Sequence, residues 1–169
     1  MKILIAYDGS ADARAAIETA GSLFSGKAAL VLSVWEGFSE VISRSGAGLA
    51  AGPLEFEEID QTSARAAHER AEEGCALGRV AGLSAEPLTA RQNTTVWETI
   101  LEQADAAGAD AIVLGSRGLT GVKSLLLGSV SHAVLQHADR PVIVIPGPQV
   151  ARRRAERRHE RTVGAGHSR

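Results

Sequence analysis

Glycine and hydroxyl residues cluster in one stretch of the sequence, between a short apolar run and a helical pattern. Residues 115–118 (GSRG) directly follow the run, and residues 128–131 (GSVS) open the helical pattern. Glycines let backbone amides approach an anion because no Cβ stands in the way. A helix N-terminus adds free N–H groups and the positive end of its dipole, and Arg117 adds a positive charge. The stretch is therefore suited to hold phosphate groups.

The same glycines have a plainer interpretation, because two glycines in a loop are common in ordinary turns. Their position decides between the two interpretations. Open α/β sheets bind ligands at the C-terminal ends of their strands, and this stretch leaves a buried strand and enters a helix. The sequence therefore favours an anion-binding loop over a simple turn.

The elements that must position this loop begin with short apolar runs, typical of strands covered on both faces of a parallel sheet. Four are nearly continuous: residues 2–7 (KILIAY), 29–35 (ALVLSVW), 110–115 (DAIVLG) and 141–145 (PVIVI). A weaker run, residues 84–91, suits an edge of the sheet, because Pro87 cannot donate to a central ladder.

Helical patterns fill the gaps between these runs. They cover residues 11–24, 57–80, 129–137 and a segment from Thr94 or Thr95 to residue 107. The regular alternation predicts a single doubly wound α/β domain with helices on both faces and right-handed crossovers. Residues 37–54 break the alternation with four glycines and a proline. They are predicted to form a flexible insertion, a candidate lid.

Composition and charge narrow the class of protein. The single cysteine, Cys75, fits a reducing compartment, and no apolar run approaches the roughly 18 residues that a membrane span needs. We therefore expect a cytoplasmic protein. Residues 151–169 hold seven arginines and two glutamates, whereas residues 1–150 hold eleven basic and eighteen acidic side chains. The segment 148–169 is predicted to be a disordered, Arg-rich tail on an acidic body.

The glycine stretch resembles the ATP-binding pattern of the universal stress protein family, G-x2-G-x9-G-S. The opening ILIAYDGS, with Asp8 after the first strand, is similar to the start of that family, and the resemblance covers residues 1–147. It implies a five-stranded parallel sheet in the order 3-2-1-4-5. It also implies bound ATP, with ADP or AMP as alternatives and Mg²⁺ as an optional companion. A homodimer would form through the last strand, at Val142, Ile143, Val144 and Ile145.

The resemblance also assigns residues to the nucleotide. Asp8 would lie near the ribose, and the backbone of Val34 would read the adenine edge. Asp8 could instead make an Asx turn beside Ser10, and by sequence Val34 is indistinguishable from a core valine. The phosphate and ribose loop would comprise Gly115, Gly118, Gly128, Ser129 and Val130, with Arg117 and Ser131 as additions.

No catalytic group accompanies the loop. The sequence has no G-x-S-x-G or P-loop pattern, and its one cysteine and five scattered histidines show no zinc-ligand spacing. We therefore expect an ATP-binding stress-response regulator that acts as a dimeric, nucleotide-dependent switch with at most slow hydrolysis. The alternatives are an ATPase, a phosphoryl or nucleotidyl transferase, or a module whose basic tail contacts nucleic acid.

Overall fold

The computed structural model describes residues 1–45, 53–119 and 127–165 of the chain. Strands and helices alternate through most of the described residues, as the apolar runs predict. The elements are β1 (Lys2–Ala6), α1 (Ala11–Leu23), β2 (Ala28–Trp35), α2 (Phe38–Ser45), α3 (Pro53–Val80), β3 (Ser84–Arg91), α4 (Val96–Ala106), β4 (Ala111–Gly115), α5 (Ser129–His137), β5 (Val142–Ile145) and α6 (Pro148–Ala165).

The five strands form one parallel sheet in the order β3-β2-β1-β4-β5, which confirms the predicted fold class. Two apolar cores cover its faces. The residues buried under α1 and α3 form one core, which includes Ile5 and Ile17. The residues buried under α4 and α5 form the other, which includes Leu4 and Ile100. The strand order reverses between β1 and β4, so a crevice opens at their C-terminal ends.

Local sequence explains where helices α1 and α4 begin. The Ser10 hydroxyl accepts a hydrogen bond from Ala13 N at 3.1 Å and caps α1. Thr95 caps α4, because its hydroxyl oxygen accepts from Glu98 N at 3.3 Å. That hydroxyl also donates to the Glu98 carboxylate at 2.7 Å, so the two side chains stabilise one helix start together.

The predicted flexible insertion at 37–54 contains regular structure in its first part. Phe38–Ser45 forms helix α2, whose first ring packs against Phe56 of α3 with centroids 5.2 Å apart. Phe38 N also donates to the Asp60 carboxylate at 2.6 Å. An aromatic anchor and a bond to α3 therefore order this part, while residues 46–52 lie outside the described residues.

The tail from residue 148 differs from its prediction, because Pro148–Ala165 forms helix α6 rather than a disordered segment. Proline is favoured at the first helical position, and glutamine, alanine, arginine and glutamate are good helix formers. Arg152 and Glu156 make an i,i+4 pair with Nε and Oε1 3.3 Å apart. High local helix propensity therefore accounts for the helical backbone of this segment. No described helix is long and apolar enough to cross a membrane.

Candidate functional site

The site begins at the Asp8 carboxylate, which follows β1 at the crevice. Its Oδ1 accepts a hydrogen bond from Ser10 N at 3.0 Å, which is the Asx-type contact that the sequence leaves open. Its Oδ2 accepts from Leu119 N at 3.1 Å, 111 residues along the chain. Asp8 therefore joins the loop after β1 to the glycine loop after β4. The same side chain makes the Asx-type turn and contacts the candidate site.

Gly118 has no side chain, which leaves space for the Asp8 carboxylate. A Cβ atom on Gly118 would stand 2.7 Å from Asp8 Oδ2, closer than real Cβ atoms approach an oxygen. Any other residue would have to displace Asp8 or the loop. The glycine at this position therefore leaves the Asp8 carboxylate where it accepts from Leu119 N.

The two ends of the glycine loop are fastened to each other. Gly128 N donates to Ser116 O at 2.7 Å, so the loop closes across the intervening residues. The Ser131 hydroxyl is shared between Ser116 O at 3.0 Å and Gly128 O at 3.1 Å. Ser131 is buried, and its hydroxyl thus holds the loop rather than standing open to solvent. Residues 120–126 of the loop lie outside the described residues.

The N-terminus of α5 lies at the closed end of this loop. Gly128 is its N-cap residue and makes no side-chain capping bond, so no side chain competes for the first amides of the helix. Ser129 is exposed at the first position of the helix, and Val130 packs against the core under α4 and α5. The helix therefore presents amide donors and the positive end of its dipole to the crevice.

Val34 lies where β2 extends past β1. Trp35 O accepts from Gln92 N at 2.7 Å on the β3 side, and alternate residues of a strand direct their backbone groups to opposite sides. The N–H and C=O of Val34 thus point toward β1. The last bond between β1 and β2 joins Tyr7 N to Leu32 O at 2.8 Å, so Val34 lies beyond the end of β1. Its backbone edge faces the crevice, while its side chain packs on the core.

Arg117 pairs with an acid that the sequence analysis did not select. Its Nε lies 3.5 Å from Oδ2 of Asp12, and both side chains are nearly buried. Asp12 Oδ2 also accepts from the Ser116 hydroxyl at 2.8 Å. In the sequence, Asp12 looks like an ordinary first-turn acid on α1, favoured by the helix dipole. The glycines at 115 and 147, which leave room around it, are the only signal of its burial.

Two buried groups have altered acidity. Burial, and then a 3.0 Å hydrogen bond to Glu73, raises the pKa of the Tyr7 phenol to about 12. Burial also raises the pKa of the Cys75 thiol to about 11, which suits a small core residue rather than a nucleophile. Among the described residues, no three His, Cys, Asp or Glu side chains lie close enough together to hold a metal ion.

Hydrogen bonds join Asp8 to the glycine loop and Gly128 to Ser116, and the backbone edge of Val34 faces the same end of the sheet. It offers amide donors for an anion, a carboxylate acceptor for hydroxyl groups and a free strand edge for a flat polar ring. The close contact at Gly118 and the uncapped α5 N-terminus both fit a phosphorylated ligand that needs backbone access.

A family model described as the universal stress protein family matches residues 1–146. The chain belongs to this family. Among curated relatives, the universal stress protein YxiE of Bacillus subtilis is 32% identical over 146 residues, which cover 85% of this chain and 97% of the relative. The predicted family is therefore confirmed.

Solved structures share the fold. The protein MJ0577 of Methanocaldococcus jannaschii is 24% identical with a TM-score of 0.69, over 86% of this chain and 94% of that one. A universal stress protein from Archaeoglobus fulgidus, solved in complex with dAMP, is 22% identical with a TM-score of 0.57, over 86% and 97%. A family member from Arabidopsis thaliana, solved with AMP bound, is 20% identical with a TM-score of 0.58, over 87% and 92%.

Proposed function

We propose that this universal stress protein binds ATP and acts as a dimeric, nucleotide-dependent switch in the stress response, with at most slow hydrolysis. The observation that carries the proposal is the contact between Asp8 and the Gly118 loop, which places a carboxylate beside a backbone cradle. Members of the family with the same fold hold dAMP and AMP, which supports an adenine nucleotide as the ligand. The proposal places the protein in the cytoplasm, in keeping with its one buried cysteine.

Different residues would contact different parts of the nucleotide. Asp8 would accept hydrogen bonds from ribose hydroxyls, and the Val34 backbone would read the polar edge of adenine. The amides around Gly118 and Gly128 and the start of α5 at Ser129 would hold the phosphates, whose negative charge the helix dipole favours. ADP and AMP would use the same contacts with fewer phosphates, and Mg²⁺ would accompany a triphosphate through phosphate oxygens.

The second part of the proposal is a homodimer through β5, which lies at one edge of the sheet. Ser116 N donates to Ile145 O at 2.7 Å, so Ile145 faces β4. The alternate residues Val142 and Val144 therefore direct their N–H and C=O groups away from the sheet. An apolar edge strand with unpaired backbone groups favours pairing with another chain. Because Ser116 belongs to the glycine loop, the loop and the dimer edge are in direct contact.

The test is mass spectrometry of the nucleotide released from purified protein, followed by calorimetric titration with ATP, ADP and AMP. We expect the wild type to carry or bind adenine nucleotide and Gly118→Val to lose it. A wild type that binds none of the three would overturn the proposal. Mg²⁺-dependent turnover well above background, lost on Asp8→Ala, would instead favour the ATPase or transferase alternative.

One observation favours a second candidate function, the binding of nucleic acid through α6. Arg152, Arg153 and Arg154 are exposed on this helix, and residues 151–169 carry a net charge of +5. Basic helices bind nucleic acid by releasing counterions, so the affinity would fall steeply with salt. If deletion of residues 151–169 leaves the nucleic-acid affinity and its salt dependence unchanged, this second function is wrong.

A further inference from the structure

We infer that Asp12 is a positioning residue for the phosphate loop: its buried carboxylate holds the Ser116–Arg117 turn in the shape that binds the triphosphate. The inference rests on the proposed function, and it concerns a residue that would not touch the nucleotide itself. On this inference, the start of α1 and the glycines together determine the shape of the loop.

The first argument is the set of partners of the carboxylate. Asp12 is only 8% exposed, so its charge needs compensation inside the protein. One oxygen, Oδ2, accepts from the Ser116 hydroxyl at 2.8 Å and lies 3.5 Å from Arg117 Nε. Arg117 Nε is itself buried and has no hydrogen-bond partner among the described residues. Among the described residues, the negative charge of Asp12 therefore neutralises the positive charge of the Arg117 guanidinium.

The second argument is the space kept free around Asp12. A Cβ atom on Gly115 would stand 2.7 Å from the Asp12 carbonyl carbon. A Cβ atom on Gly147 would overlap Asp12 Oδ1. Gly115, which ends β4, thus lets the α1 backbone at Asp12 come close, and Gly147, which follows β5, leaves room for the carboxylate itself. The Asp12 carboxylate therefore lies between Gly147 and the Ser116–Arg117 turn.

The consequence reaches the rest of the loop through the Ser116 backbone. Ser116 O accepts from Gly128 N at 2.7 Å and from the Ser131 hydroxyl at 3.0 Å. A Ser116 side chain held by Asp12 fixes the carbonyl that fastens the start of α5. Loss of Asp12 would leave the Ser116 hydroxyl without its acceptor and the buried Arg117 guanidinium without its neutralising charge. The turn would then rearrange to hydrate both groups.

The first experiment compares ATP with adenosine on purified full-length protein, with adenosine measured by competition. Because Asp12 acts on the phosphate loop, Asp12→Ala is expected to weaken ATP binding about tenfold or more and adenosine binding less than about twofold. Asp105→Ala is the matched control, since this acid pairs with Arg140 on the chain segment before β5. It should leave both affinities unchanged.

The second experiment adds Gly147→Ala, whose methyl group must push the Asp12 carboxylate aside. Alone, it is expected to weaken ATP binding as Asp12→Ala does. In the Asp12→Ala background it should cost little more, because the overlapping oxygen is gone. This pair keeps the inference testable if Asp12→Ala alone folds poorly.

The outcomes separate the two proposals. Absence of ATP binding by the wild type refutes the proposed function itself. ATP binding that Asp12→Ala and Gly147→Ala leave unchanged, or an equal loss for ATP and adenosine, overturns the positioning role while the proposed function stands. Independent, additive losses from the two substitutions overturn it as well.

Discussion

One carboxylate oxygen of Asp8 lies 2.7 Å from the point where a Cβ atom would stand on Gly118. The same oxygen accepts from Leu119 N at 3.1 Å, so the methyl group of Gly118→Ala must displace the acceptor or break this bond. A hydrogen bond to a charged group contributes about 1.5–3 kcal/mol. We expect Gly118→Ala to weaken ATP binding by roughly tenfold to a hundredfold, measured by calorimetric titration.

Gly108 provides the control for that substitution. Its φ of +60° lies in the left-handed region and nothing lies within 4 Å of its Cβ position. Gly108→Ala is therefore expected to lower the free energy of unfolding by about 1 kcal/mol, through backbone strain, without changing ATP affinity. Equal effects of the two substitutions on ATP affinity would contradict the role of Gly118.

The proposed dimer can be tested at a single backbone nitrogen. The N–H of Val144 points away from β4, so Val144→Pro removes a donor that the sheet does not use. The N–H of Ile143 points toward β4, so Ile143→Pro breaks the ladder. We expect Val144→Pro to weaken the dimer about tenfold or more in sedimentation equilibrium while the protein stays folded. Ile143→Pro should lower the melting temperature instead. A dimer unaffected by Val144→Pro would place the interface elsewhere.

Arg140 fastens the end of the sheet opposite to the site. Its Nη1 donates to Ala104 O at 3.0 Å and to Ala109 O at 2.9 Å, which satisfies carbonyls at the end of α4 and just after it. We expect Arg140→Ala to lower the free energy of unfolding by about 1–3 kcal/mol in urea titrations, with ATP affinity unchanged. Arg140→Lys should recover only part of the loss, because an ammonium group lacks the fork of donors. Full recovery would mean that charge alone matters.

The sheet could be predicted from sequence because its signals are local. Four nearly continuous apolar runs and one weaker run predicted the five strands, and Pro87 correctly indicated an edge. The helix at Phe38–Ser45 was missed because four glycines nearby suggested a loop, whereas the contact with Phe56 orders it across the chain. The helix in the tail was not predicted, because the high charge of the segment indicates disorder while its residues also have high helix propensity.

The candidate site residues could be predicted where a sequence motif marks them. They could not be predicted where the role of a residue depends on its burial in the fold. The motif marks Gly118 and Gly128, and both lie in close contact with other segments, Gly118 with Asp8 and Gly128 with Ser116. Asp12 was not predicted as a site residue because an acid in a first helical turn is common. Its burial depends on two segments more than a hundred residues away along the chain. The hydrogen bonds of the Ser131 hydroxyl to two carbonyls of the loop could not be foreseen either, because they depend on the loop closing on itself.

The acidity of Tyr7 gives the last prediction. Burial, and then the hydrogen bond to Glu73, raises its pKa from 10.0 to about 12. The folded state thus holds the phenolic proton more tightly than the unfolded state, so this contribution to stability is complete below about pH 10 and is lost as the pH rises to about 12. Tyr7 is the one tyrosine of the chain, so the phenolate absorbance reports on it alone. We expect a native midpoint near pH 12, a lower midpoint in Glu73→Gln, and a flatter loss of stability in alkali for Tyr7→Phe. A native midpoint near pH 10 would show that the phenol is neither buried nor bonded to Glu73 in solution.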